Sequence, residues 1–302
     1  MGLALGAALL RHGAVERLTF LGRGRGPPPH PIFGAPAGND DDDDVAPARK
    51  GSNDNAGSGT AAVAEYRMLP AAPPAGTAAV ILAVPDAALP GVAWELARMG
   101  TAPAGCAALH LSGALAADVL APLHEAGYSI GSLHPLVAVA DPRLAAERVR
   151  GAAFAVSGDP AALGVARRIV SALDGRPLVI PPPLRPLYHA AAVVASNYLV
   201  ATTGLAMRLL EDAGVPADDT LAALLPLLRS TIDNIERLGV PAALTGPIPR
   251  GDTDTIRLHL ARLSGTDRSL YCALGMELLR LARSVGLDEQ RAIEIESLLT
   301  AG

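Results

Sequence analysis

The sequence predicts an α/β fold: a mostly parallel sheet with helices on both faces, followed by an all-α C-terminal domain. Three observations predict it. Continuous apolar runs such as Ala78-Ala-Val-Ile-Leu-Ala-Val84 have the composition of strands buried on both faces. Helical stretches alternate with these runs at the spacing of β-α-β units. After Pro181-Pro-Pro183 the strand signal stops and only helical patterns follow, so the domain boundary is placed at residue 182, giving segments 1–182 and 183–302.

Taken in order, Gly2 to His12 is helical in pattern, with Gly13 as its C-cap. Arg17-Leu-Thr-Phe-Leu21 is a short strand. Residues 27–60 are rich in Gly, Pro, Asn and Asp, and they read as a disordered surface insertion. Their aspartate run, Asp40 to Asp44, lacks calcium-loop spacing and reads as solvated charge, not as a metal site. Strands follow at 78–84, 106–111, 128–133, 154–157 and 178–180, with helices at 87–99, 116–126 and from Pro160 to Gly175. Asp159 caps the last of these and Pro160 takes its first position. Beyond the boundary, helices are expected at 185–213, 217–238, 252–264, 267–285 and 288–299. Asp218, Asp252, Asp267 and Asp288 are their candidate caps, and Pro226 interrupts the second.

Composition narrows the function classes. The 302 residues are half hydrophobic but only 3% aromatic, so the core is built from Ala, Val and Leu. A formal net charge of −5 argues against a nucleic-acid binder. Cys106 and Cys272 form no disulfide framework or metal-ligand spacing, which fits a reducing, cytoplasmic setting. Arg11 and His12 follow the N-terminal apolar run instead of preceding it, unlike a signal peptide. Ala190 to Met207 carries no charge, but Ser196, Asn197, Thr202 and Thr203 interrupt it, so a buried helix is expected there and no membrane span.

The order helix, strand, basic loop, strand at the start of the chain has a dinucleotide-binding meaning. In such folds a strand runs into G-x-G-x-x-G, and the third glycine lets helix and strand approach closely. Gly2 fits that third glycine, which puts the first strand and the first two glycines upstream of Met1. Either Met1 is an internal methionine or the nucleotide site is truncated. Arg23, just past the second strand, stands where a ribose 2′-phosphate is read, and no acid occupies that place. NADP(H) is the expected cofactor, held by Gly2, Arg23, the Val84-Pro85-Asp86 loop and Ser112; a solvated loop is the plainer reading of Gly22-Arg-Gly-Arg-Gly26.

Ligands of open α/β sheets bind at the C-terminal ends of the strands. His110-Leu-Ser112-Gly113 and Gly131-Ser-Leu-His134-Pro135 lie there. His134 is the candidate general acid or base, against the plainer reading of a loop histidine bonded to backbone. In the helix Tyr188-His-Ala-Ala-Ala-Val-Val-Ala-Ser-Asn197, His189, Val193 and Asn197 recur every four residues and share a face. His189, Asn197 and Ser112 join His134 as catalytic candidates; Tyr188, Asn234 and Arg250 are substrate-binding candidates, Arg250 being suited to a carboxylate.

The strings LAVPDAAL, HLSGAL, GSLHPL, AFAVSGDP, LYHAAAVVASNYLV and LTGPIPRGD, in that order, resemble the Rossmann-like proteins that carry domain of unknown function 2520. The likeness covers residues 78 to about 285 and the helix 2–12; the insertion and the absent first strand depart from it. It implies a Rossmann-like sheet, a helical C-terminal domain like that of 6-phosphogluconate dehydrogenase, kinship with pyrroline-5-carboxylate reductase, NADP(H) binding and a homodimer formed through the helical domain. GSLHPL is also similar to the His-Pro segment of prephenate dehydrogenases, in which the histidine contacts the substrate hydroxyl; this carries to His134 alone. The expected activity is hydride transfer between NADP(H) and a small carbonyl, imine or hydroxy-acid substrate bound between the domains. The alternative is a non-catalytic nucleotide-binding or dimeric regulatory protein.

Overall fold

A computed structural model describes residues 1–28, 30–33 and 63–301. The chain divides into two compact units, Met1–Ser196 and Asn197–Gly302. The strands end before residue 182, but this division falls later, inside one long helix.

In the first unit α1 (Gly2–Arg11) leads to β1 (Arg17–Gly22). Of the expected insertion, residues 34–62, and with them Asp40 to Asp44, lie outside the described residues. Residues 31–33 form a 3-10 turn, and the Phe33 ring packs edge-on against Phe20 and Tyr66, at 4.9 and 6.3 Å between centroids. These residues are therefore anchored by aromatic contact, contrary to the disorder expected of them. β2 (Val63–Met68), which the sequence reading missed, pairs parallel with β1.

The second sheet has the order β3 (Ala79–Leu82), β4 (Ala107–His110), β5 (Ser129–Pro135), β6 (Ala153–Gly158) and β7 (Arg176–Val179). Its pairings are parallel except β5 with β6, which is antiparallel. Among the described residues the two sheets share no ladder. α1 touches both: a Cβ on Gly2 would stand 2.6 Å from the Ala83 Cβ, and one on Gly6 would stand 2.7 Å from Leu18 and Phe20 side-chain atoms.

The sheet is covered on both faces, because alternate residues of each strand point opposite ways. Ala107, Leu109, Leu133, Phe154 and Val156 pack under α1, α4 (Pro142–Val149) and α5 (Pro160–Ala172). Cys106, Ala108 and Ile130 pack under α2 (Leu89–Ala97) and the segment Ala117–Glu125, a 3-10 turn that runs into the short α3 (Ala121–Glu125). α4 went unrecognised in the sequence. The Asp159 carboxylate makes no cap bond to α5; it accepts from the Ile130 N–H at 2.9 Å, tying α5 to β5.

α6 (Arg185–Asp212) is followed in the second unit by α7 (Ala217–Leu238), α8 (Thr253–Leu260), α9 (Gly265–Ser284) and α10 (Glu289–Thr300). The core of this unit is built from Ile248, Ile256, Leu260, Leu279, Ala282, Ala292, Ile295 and Leu299. Asp252 and Asp288 cap α8 and α10 by accepting from the N–H groups of Thr255 and Arg291. Asp218 and Asp267 do not cap: both sit inside first turns, and Asp267 pairs with Arg208 at 2.8 Å.

The buried helix expected at 190–207 is not buried. Leu187, Val194, Tyr198, Leu199 and Val200 of α6 are exposed, and so are Leu221, Leu225, Ile232 and Ile235 along one stripe of α7. Among the described residues, Pro182–Asp212 is the one helical stretch long and apolar enough to cross a membrane.

Candidate functional site

The helix-covered face of the sheet that carries Ala108 and Ile130 turns polar toward one end. His110, Ser132 and Ser157 occupy that face in register, since His110 pairs with Ser132 and Ser132 with Ser157. His134 follows two residues along β5. It lies within the strand, opposite Ala155, and not beyond the strand's end as the sequence suggested. The first turn of α6 adds Arg185, Tyr188 and His189, and the loop after β3 adds Asp86.

These groups are joined by short contacts. His134 Nδ1 and the Tyr188 hydroxyl are 2.8 Å apart. The Ser112 hydroxyl donates to Asp86 Oδ2 at 2.8 Å and accepts from the Leu115 N–H. The Ser132 and Ser157 hydroxyls pair at 2.8 Å. Arg185 Nη2 donates to the Ser112 carbonyl at 2.6 Å, and Nη1 reaches Ser157 Oγ at 3.4 Å. The His134 and His189 rings meet edge to face, 5.9 Å apart. Gly113 makes this approach possible: a side chain there would collide with His189 Nδ1 and stand 3.0 Å from His134 Nε2.

The two interior histidines have different tasks. His110 is fully buried; its Nδ1 accepts from the Ser112 N–H and its Nε2 lies 3.1 Å from the Ala116 carbonyl. That pattern needs the neutral ring with the proton on Nε2. Burial, reinforced by the Arg185 charge, pushes its pKa down to about 4. His110 thus braces the loop 111–116. His134 is also pushed down to about 4, by burial first and then by His189 and Arg185. Burial raises the Tyr188 hydroxyl, with Arg185 opposing. Near neutral pH the His134–Tyr188 pair is therefore uncharged and shares its protons through one hydrogen bond. With the Tyr188 O–H donating to Nδ1, the imidazole proton is on Nε2; with Nδ1–H donating, the tyrosine hydroxyl is free to donate elsewhere.

The structure thus brings together His134, His189, Ser112, Tyr188 and Asp86 of the residues singled out in the sequence. Val84 and Pro85 lead into Asp86 on the same loop. Arg23 is exposed and held by both oxygens of Glu95, at 3.1 Å. Asn197, Asn234 and Arg250 fall in the second unit; Asn197 is exposed, and Arg250 lies 3.9 Å from Asp252. Sequence reasoning missed Arg185, Ser132 and Ser157. The serines carried a signal, as polar residues at alternate positions of apolar strands. Arg185, beside a proline run, carried none. Among the described residues no cluster of His, Cys, Asp and Glu could hold a metal.

A parallel sheet covered on both faces, with polar groups gathered at strand ends and a helical region following, defines a Rossmann-like α/β protein. Residues 55–135 match a Rossmann-like domain, and residues 152–278 match a domain of unknown function, DUF2520. The chain thus carries a Rossmann-like domain together with DUF2520. The crystal structure of protein TM1727 from Thermotoga maritima is similar at 26% identity over 74% of this chain and 84% of that one, with a TM-score of 0.60. A proposed NADP oxidoreductase from Bacteroides fragilis, BF3122, shares 21% identity over 74% of this chain and 80% of its own, TM-score 0.51, a likeness of fold. The Plasmodium falciparum pyrroline carboxylate reductase, crystallised with NADP bound, matches over 99% of this chain and 96% of its own at 10% identity, with a TM-score of 0.49. No match is found among curated proteins.

Proposed function

We propose that the chain is a cytoplasmic NADP(H)-dependent oxidoreductase acting on a small carbonyl, imine or hydroxy-acid substrate. The observation that carries this reading is the hydrogen-bonded His134–Tyr188 pair at the strand ends, next to the Asp86–Ser112 link. The residues present fit a nicotinamide nucleotide. Gly2 admits the close approach of α1 to Ala83, at the end of β3, that a dinucleotide-binding turn needs, and Arg23, on the loop after β1, would exchange Glu95 for a 2′-phosphate. When bound, the nucleotide supplies or accepts the hydride.

The protein's own part is the proton. Tyr188 O–H donates to the substrate oxygen or nitrogen as charge develops there. His134 Nδ1–H passes its proton to the Tyr188 oxygen while Nε2 takes one up from solvent water, so the imidazole ends neutral and the proton given to substrate is drawn from solvent. Arg185 stabilises negative charge on the phenol oxygen during the transfer. In the second unit, the exposed apolar stripe of α7 favours association with a second copy of the chain, since an amphipathic helix gains little by facing water.

Nucleotide fluorescence tests the cofactor assignment. NADPH is expected to bind more tightly than NADH. Arg23→Ala should weaken NADPH binding about tenfold and spare NADH, the scale of one charge-assisted phosphate contact. Failure of both nucleotides to bind the folded protein would overturn the reading.

A further inference from the structure

The charge balance of the polar cluster does not close. Arg185 is 0% exposed, yet it forms no ion pair with any described carboxylate; its partners are one carbonyl and one hydroxyl, the latter at 3.4 Å. The exposed arginines show the opposite: Arg150, Arg208 and Arg280 meet carboxylates at 2.6–2.8 Å, and half-buried Arg283, whose Nε also lacks a partner among the described residues, has its charge matched by Glu289 and Glu296. A guanidinium has five N–H donors and stays charged, so its burial calls for acceptors of matching number and sign. Arg185 Nε has none. A second buried nitrogen in the same cluster, His189 Nδ1, is also without a partner. The carboxylate of the cluster, Asp86, accepts from the Ser112 hydroxyl. Ser132 and Ser157 use their hydroxyls on each other.

We propose that the cluster takes an oxyanion-bearing substrate, carrying a carboxylate or a phosphoryl group, and that Arg185 together with His189 Nδ1 binds that oxyanion. An oxyanion has the lone pairs and the charge to accept from Arg185 Nε–H and, in the tautomer with the proton on Nδ1, from His189 as well. The position suits the chemistry: Arg185 is one helical turn from Tyr188, so an anion held there places the adjoining carbonyl or imine near the tyrosine hydroxyl. Tyr188 and His189 are only half-buried, which gives a ligand its approach to the cluster. This inference rests on the reading of the His134–Tyr188 cluster as the substrate site.

The test is an equilibrium titration of the full chain with pyruvate, with its neutral analogue pyruvamide and with inorganic phosphate, in the absence of nucleotide. The Nε–H resonance of Arg185 is followed in protein carrying 15N-arginine. It is assigned by its loss in Arg185→Met, or in Arg185→Lys should the methionine variant not fold. Pyruvate is expected to shift the resonance and raise the melting temperature, and pyruvamide to do neither. The substituted protein should bind pyruvate at least about tenfold more weakly. Without anion, Arg185→Met should melt no lower than the parent, because an uncompensated buried charge is removed. A response to phosphate and not to pyruvate assigns the same site to a phosphoryl-bearing substrate. A resonance that no anion moves, with a methionine variant that melts well below the parent, makes Arg185 a structural strut and overturns the inference. Neither readout involves hydride transfer. A protein that binds pyruvate but turns over no substrate refutes the oxidoreductase reading alone, and an unresponsive Arg185 in a working reductase refutes this inference alone.

Discussion

The molecule holds two histidine–tyrosine pairs of almost the same geometry. His134 and Tyr188 are joined at 2.8 Å with ring centroids 5.7 Å apart at 83°; His259 and Tyr271 are joined at 2.9 Å, 5.8 Å apart at 88°. The first pair links β5 to α6 and is surrounded by Arg185, His189, Asp86 and Ser112. The second links α8 to α9, twelve residues apart in sequence, with His259 on the surface. A hydrogen-bonded imidazole and phenol do not make a site. Burial and a neighbouring cation do, because they decide which protonation states exist and how strongly each polar atom seeks a partner.

Substitution of each pair in turn gives the largest contrast. His134→Ala and Tyr188→Phe should lower NADPH oxidation, with the best substrate from a panel of small oxo-acids and cyclic imines, by about 10²- to 10⁴-fold. His259→Ala and Tyr271→Phe should leave it within about twofold. Equal losses from both pairs would dissolve the distinction.

Acid should separate the pairs next. His110 and His134 have pKa values near 4 in the folded protein, below the value of 6.5 for an unperturbed histidine. The unfolded chain therefore binds more protons between those limits, and stability is complete above about pH 6.5 and falls as pH drops toward 4. For His110, fully buried, the contribution is roughly 3 kcal/mol. Melting temperatures across this range should fall steeply in the parent and less in His110→Asn, provided the variant keeps the Ser112 and Ala116 contacts. A flat profile would show that burial does not hold these rings neutral.

The smallest effect belongs to the second pair, whose histidine is exposed and whose tyrosine is half-buried. Tyr271→Phe should cost about 0.5–1.5 kcal/mol in urea denaturation, the net worth of one hydrogen bond. A larger loss would mean that the second pair is a structural anchor.

Much of the N-terminal unit was legible because strands buried on both faces must be apolar throughout. β3, β4 and β6 stand close to where their apolar runs lie. β2 was not legible: Val63-Ala-Glu-Tyr-Arg-Met68 is half polar, and its strand state depends on β1 lying alongside. α4 was hidden for a related reason: Glu147 and Arg148 face solvent, and the part that packs is small, Ala145, Ala146 and Val149. The site was half legible. Ser112, His134, Tyr188 and His189 stood out as polar residues next to strand ends or on an apolar helix. Ser132 and Ser157 meet only because β5 and β6 pair in one register.

By itself the sequence determined the alternation of strands and helices, the switch to helices after residue 182, the caps at Asp252 and Asp288, and about half of the polar residues gathered at the strand ends. These depend on side-chain periodicity and on hydrogen bonds that close within three residues, so they are written locally. Tertiary structure alone decided that β6 runs antiparallel to β5, that α6 is exposed, and that Arg185 is fully buried beside two serines and a histidine pair. An apolar run reads the same in either direction, and an arginine reads the same in water or in a core. What distinguishes them is the partner, brought from 28 residues away in Ser157 and 73 in Ser112.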